Sequence, residues 1–222
     1  MSSINSHLLL LLLLLLAAAS LTLIVAADPD MLQDLCVADL NSAVRVNGFP
    51  CKPATNVSAS DFFFDGLARP GATNTTMGSL VTRANVEQIP GLNTLGISMT
   101  RVDYAPGGVN PPHVHPRASE IVFVLAGEIE VAFVTTANRL VGRTIGAGEV
   151  FVFPRGLVHW QRNVGSTPAA AIAAFNSQLP GSLGVAAALF ASEPAVADEV
   201  LERAFQIGAR EVRQIRRRLA PH

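Results

Sequence analysis

From about residue 80 to residue 177 the chain is a series of short apolar runs separated by Gly and Pro. Leu95 to Tyr104 is rich in strand formers. Glu120 to Val134 reads Ile-Val-Phe-Val-Leu, then Gly127, then Ile-Glu-Val-Ala-Phe-Val. Val150 to Phe153 follows the turn Gly146-Ala147-Gly148, and Ala169 to Phe175 is a further apolar run. Short strands at this spacing predict an all-β sandwich or barrel. Several runs are apolar at both parities, which predicts that both faces of a sheet are covered and points to subunit contacts. The last forty residues change period. Pro194 fits the first turn of a helix capped by Ser192 or Glu193. Leu201 and Phe205, then Val212, Ile215 and Leu219, fall at helical spacing on either side of Gly208. The tail therefore reads as two amphipathic helices, with Arg213, Arg216, Arg217 and Arg218 on a solvated face.

Ahead of this lies a leucine run, Leu8 to Leu16, followed by small residues ending at Ala26 and Ala27. That is the pattern of a secretory signal peptide spanning residues 1–27. Leu8 to Ala27 is long enough to cross a bilayer, so a retained anchor is the competing reading. Asp28-Pro29-Asp30 supplies no basic stop-transfer flank and favours cleavage, leaving a mature chain free of the membrane. The remaining 28–222 suits one domain. Half of the residues are hydrophobic and the net charge is −1, so no strong field points to nucleic acid. In an oxidising compartment the two cysteines, Cys36 and Cys51, pair most simply with each other and pin an irregular segment, 28–60. Asn56-Val57-Ser58 and Asn74-Thr75-Thr76 are glycosylation sequons.

Chemistry concentrates in the histidines. Setting aside His7 in the leader and the terminal His222, three remain, in two compact segments. One runs from Gly107 through His113-Val114-His115 to Glu120, the other from Gly148 through Pro154-Arg155-Gly156 to His159 and Asn163. His113 and His115, two apart, share a face on a strand. Glu120 is an odd number of residues beyond His115, so the chain must turn or bulge between them, and Pro116 suits that. His159 is expected on a neighbouring strand, facing inward. Three imidazoles and a carboxylate suit a borderline or moderately hard divalent ion with positions left open for a small anion. Asn110 reads either as a group facing such an anion or, before Pro111-Pro112, as a turn residue.

Taken together, Gly-x5-His-x-His-x4-Glu-x6-Gly and Gly-x5-Pro-x-Gly-x2-His-x3-Asn resemble the two boxes of the plant germins and germin-like proteins, within the cupin superfamily. Asp28-Pro29-Asp30, Leu35-Cys36, Gly48-Phe49-Pro50-Cys51, the stretch Pro90 to Gly108 and Phe175-Asn176-Ser177-Gln178 extend the resemblance across 28–222. It implies a cupin β-jelly-roll over 61–180 with a helical C-terminal extension, 183–222, and a homohexamer built as a trimer of dimers. It also implies one Mn per subunit on His113, His115, Glu120 and His159, and a role in plant defence in the apoplast and cell wall. Germins oxidise oxalate to CO2 and H2O2, whereas some germin-like relatives dismutate superoxide. Oxalate oxidases place two asparagines against the substrate. Asn110 matches one, and Thr100 stands where the other is expected, so the tentative substrate contacts are Asn110 and Thr100. This favours a superoxide dismutase-type activity over oxalate oxidation. A non-catalytic wall or storage (nutrient reservoir) protein is the third reading. Arg155-Gly156-Leu157 departs from the Arg-Gly-Asp-like tripeptide of some relatives and gives no support to adhesion.

Overall fold

The computed structural model describes residues 31–220; the expected leader, His7 and His222 lie outside them. Ten strands are found among the described residues: β1 Ser79–Ala84, β2 Ser98–Tyr104, β3 Val109–Val114, β4 Glu120–Ala126, β5 Glu128–Val134, β6 Leu140–Gly146, β7 Val150–Phe153, β8 His159–Asn163, β9 Ala169–Phe175 and β10 Leu183–Gly184. They form two five-stranded sheets, in the orders β1-β2-β9-β4-β7 and β10-β3-β8-β5-β6. All pairings are antiparallel. The chain crosses from one sheet to the other at most connections, which is the jelly-roll form of a β-sandwich. The all-β expectation and its C-terminal helices agree with this architecture.

The core lies between the sheets. Val102, Tyr104, Val122, Val124, Ile129, Val131, Ile145 and Phe153 form one buried cluster. Strand β4 shows how the outer surface differs. Val122 and Val124 point inward, while Ile121, Phe123 and Leu125 point out and are 46%, 41% and 42% exposed. In register, Ile121 lies beside Val152 and Ala174, and Phe123 beside Val150 and Ile172. The two parities of apolar residues are thus an inner core and a contiguous apolar outer face of one sheet.

Two expectations need correction. Asn110-Pro111-Pro112 is not a turn but part of β3. The prolines fit because β10 pairs only with His113 and Val114 and so asks no N–H of Pro111 or Pro112, and the register with β8 shifts between Asn110 and His113. The tail holds three helices, α1 Val185–Phe190, α2 Asp198–Phe205 and α3 Ala209–Leu219. A six-residue helix is too short to show a period, so α1 has no signature in the sequence. Helix α2 starts at Asp198 rather than Pro194, with Asp198 and Glu199 in its first turn, where acidic groups meet the positive end of the helix dipole. Phe190, Leu201 and Val212 bury the seam between the three. Arg213, Arg217 and Arg218 are exposed, whereas Arg216 turns back to Asp198 at 2.9 Å.

Cys36 and Cys51 are bonded, with Cα atoms 4.8 Å apart. The backbone N–H of Ala38 donates to Pro90 O at 2.9 Å, and Lys52 N–H donates to Val37 O at 2.9 Å, so the disulfide fastens the N-terminal segment against the body of the sandwich. Asn56 and Asn74 are both exposed. Exchanging both cysteines for Ser should lower the unfolding free energy by roughly 3 kcal/mol on the chain-entropy estimate. Denaturant unfolding of the double variant against the parent checks this, and peptide mapping without reduction should recover the Cys36–Cys51 pair.

Candidate metal centre

The site is assembled from both sheets. His113 is in β3, His115 lies one residue beyond its end, and His159 opens β8, opposite His113 in register. Glu120 opens β4 in the other sheet, with Phe153 and Phe175 as its neighbours in register. The parity problem between His115 and Glu120 disappears: the intervening residues carry the chain from one sheet to the other, so both side chains face the interior. The turn Pro154-Arg155-Gly156 feeds β8, with Gly156 at φ +77°, a conformation that favours glycine. It is tied to the first segment. Gly156 N–H donates to His115 O at 3.2 Å, and Arg155 Nε–H donates to Pro116 O at 2.9 Å.

One ligand atom from each of His113, His115, Glu120 and His159 comes within 4.8 Å of the others, and all four residues are buried. Each ring is set by a backbone carbonyl. His113 Nδ1 donates to Pro111 O at 2.8 Å, His159 Nδ1 to Leu157 O at 2.8 Å, and His115 Nδ1 to Gly181 O. A carbonyl only accepts, so in each ring the proton sits on Nδ1 and a neutral ring turns its Nε2 lone pair inward. The Nε2 atoms of His115 and His159 lie 3.0 and 3.2 Å from Glu120 Oε2. Lone pairs at that distance from a carboxylate require positive charge between them. A divalent cation supplies it to all four groups at once. With both cysteines in the disulfide, the donor set is nitrogen and oxygen only, which fits a borderline or moderately hard ion.

Burial sets the electrostatics. Desolvation, helped by the neighbouring His159, lowers the His113 pKa to about 4. Burial alone would raise the Glu120 carboxyl, but donation and positive charge from the adjoining His115 and His159 rings in their protonated form overcome it and hold it down at about 2. His113 is therefore neutral and Glu120 ionised at neutral pH, the forms in which both can bind a cation.

Gln161 is the residue the sequence reading passed over. Its Nε2–H donates to Glu120 Oε1 at 3.3 Å, and Asn110 Nδ2–H donates to Gln161 Oε1 at 2.7 Å. The two oxygens of Glu120 are thus divided: Gln161 holds one, and the other faces the imidazoles. The signal was present, since Gln161 is two residues from His159 and must share its face of the strand. Phe153 stacks on His159 with centroids 4.5 Å apart, and Phe175 meets His115 edge-on at 4.8 Å. Asn163, the last residue of the second box, does not enter the site. It ties loops together through Ala105 O at 3.0 Å and Thr167 O at 2.7 Å. A cavity of about 280 Å3 opens beside the cluster, and its walls include Thr100 and Asn110.

Residues 65–213 match the cupin family. The chain is 65% identical over 196 residues to germin-like protein 5-1 of Oryza sativa subsp. japonica, which covers 88% of each chain. It is 61% identical over 200 residues to germin-like protein subfamily 2 member 2 of Arabidopsis thaliana, 90% of this chain and 91% of that one. Among solved structures it is similar to an oxalate oxidase in complex with the substrate analogue glycolate, with a TM-score of 0.84 and 48% identity, over 87% of this chain and 98% of the other.

Replacing His115 with Ala should remove stoichiometric metal, because it deletes one of two anchors joined by a single residue; elemental analysis of both proteins measures this. Acid should act in the same direction. The ordinary values are 6.5 for His113 and 4.5 for Glu120, and both are lowered in the fold. The unfolded chain therefore binds more protons, so stability falls as pH drops from 6.5 towards 4 through His113, and from 4.5 towards 2 through Glu120. Calorimetry of chelator-treated protein across this range should show a falling Tm. Metal should be retained at neutral pH and lost near the bottom of the His113 window, as protons compete for the ligands.

Proposed function

This chain is a member of the germin-like family of cupins, and on that premise we propose that it is a secreted, manganese-binding protein of the plant apoplast and cell wall with superoxide dismutase-type activity in defence. Manganese bound by His113, His115, Glu120 and His159 would supply a redox couple and a positive centre for small anions. The protein's contribution is to keep His113 neutral and Glu120 ionised, to turn the Nε2 atoms of His115 and His159 towards the centre, to hold Glu120 through Gln161, and to leave one side open to the cavity.

The observation that carries the choice of activity is Thr100. It is buried in the cavity wall, at the position where the resemblance to the oxalate oxidases implies an asparagine. Oxalate is a dianion that must be held in a single orientation, which calls for donors at both ends. Asn110 remains on the wall, with one of its two amide N–H donors given to Gln161 at 2.7 Å. A threonine hydroxyl is shorter than an amide and places its donor differently. Losing a well-placed donor to an anion costs on the order of 1–3 kcal/mol. Superoxide is small and singly charged and needs little orientation.

The leader sequence supports secretion and the exposed sequons support glycosylation at Asn56 and Asn74. Among the described residues no helix is long and apolar enough to cross a membrane. The apolar outer face of the β1-β2-β9-β4-β7 sheet supports assembly with further copies of the chain, as the hexamer of the family implies.

Wild type and Thr100→Asn, both loaded with Mn, decide the activity. The wild type should consume superoxide and release little H2O2 from oxalate, and the Asn variant should gain oxalate oxidation by roughly tenfold or more if one donor is restored. Strong oxalate oxidation by the wild type would replace this reading with that of an oxalate oxidase. Inactivity of both fully metallated proteins would make the non-catalytic wall or storage role the better account.

A further inference from the structure

The cavity beside the four-residue centre is larger than a diatomic anion requires. Its volume of about 280 Å3 approaches that of sites for small organic ligands. Its walls also include Arg83, Asn85, Glu87, Ser98 and Ser182. Arg83 is in β1, the edge strand of its sheet, and pairs in register with Thr100. Directly opposed residues point to the same face, about 4.8 Å apart. Arg83 therefore shares the row of Thr100 one strand nearer the sheet edge, and it is exposed where Thr100 is buried. None of the carboxylates of the described residues forms an ion pair with it.

An arginine on the inward row of a strand can serve to discourage edge-to-edge pairing. Here it also lines a cavity of mixed polar and apolar walls that His113, His115 and Glu120 line too. Glu87 on the same rim offsets its charge at long range, so what Arg83 adds is short-range and directional. A guanidinium offers parallel N–H donors matched to a carboxylate, which a point charge does not.

We propose that Arg83 is a specificity-determining residue forming a carboxylate subsite, so that the cavity takes a short dicarboxylic acid with one end at the His113–His115–Glu120–His159 centre and the other on the Arg83 guanidinium. This rests on the reading of that centre as a metal site, and not on dismutation. A dicarboxylate offers one carboxylate to each anchor, whereas a monocarboxylate serves only one.

Calorimetric titration of the Mn-loaded protein with malonate, succinate and acetate tests the subsite, with metal content measured in every sample. Wild type should bind malonate or succinate more tightly than acetate. Arg83→Leu should weaken the dicarboxylate by on the order of tenfold or more and leave acetate within about twofold, since only one charge-assisted contact is removed. Arg83→Lys should fall between the two, retaining charge without the fork. Equal losses for both ligand types would mean that Arg83 acts only through its field, and no loss would leave it an edge-protecting residue; either result overturns the proposal. So does a fully metallated wild type that does not prefer dicarboxylates. Wild type that takes up no metal would overturn the metal-centre reading itself, and the subsite with it.

Discussion

Four lone-pair-bearing atoms aimed at one buried point form an arrangement that opposes itself. Burial removes the water that would otherwise separate His113, His115, His159 and Glu120, and their mutual repulsion then grows. Only positive charge resolves it. The rest of the structure can be understood as the scaffold that keeps this conflict in place. Backbone carbonyls of Pro111, Leu157 and Gly181 take the Nδ1 protons and deny the rings the tautomer that would relieve it. Phe153 and Phe175 block rotation of the rings, and Gln161 pins one oxygen of the carboxylate. The site is thus organised before any ion arrives, which lowers the reorganisation required for binding.

Placing such a group inside a sandwich calls for contributions from both sheets. The histidines come from the sheet containing β3 and β8, and the carboxylate from the opposite sheet at the start of β4. The same β4 continues inward as Val122 and Val124 and outward as Ile121 and Phe123. One strand therefore serves the centre, the core and the apolar outer face. A change of register by a single residue would expose the first two and bury the third. The loop between β9 and β10 has a double part too, since Gly181 orients His115 while Leu179, Pro180 and Ser182 wall the cavity.

Within that cavity, the differences that matter for activity are small. Thr100 and Asn110 face the same space, but Asn110 already gives one of its two amide N–H donors to Gln161. The donors free for a ligand are therefore fewer than the residue types suggest. Selectivity in such a space depends on which donors remain uncommitted, a property of the hydrogen-bond network as a whole.

The residues alone carried a good deal of this. Strand rhythm marked β4, β5, β7 and β9, because short apolar runs bounded by Gly or Pro turns fit strands. Residue type and spacing picked out the ligand set, because imidazole and carboxylate at those intervals have few other uses. Local signals failed where neighbours decided the outcome. Asn110-Pro111-Pro112 resembles a turn, yet lies in a strand because β10 asks no N–H of Pro111 or Pro112. Helix α1 is too short to show a period and exists because Phe190 packs on Leu201 and Val212. The engagement of Asn110 by Gln161, the tautomers of the three rings and the alignment of Arg83 with Thr100 depend on atoms far apart in the chain. Chemical identity and period are local properties, and a sequence displays them directly. Distance, burial and hydrogen-bond partnership arise only when the two sheets close on each other, and they decided how this centre is held and what its cavity can admit.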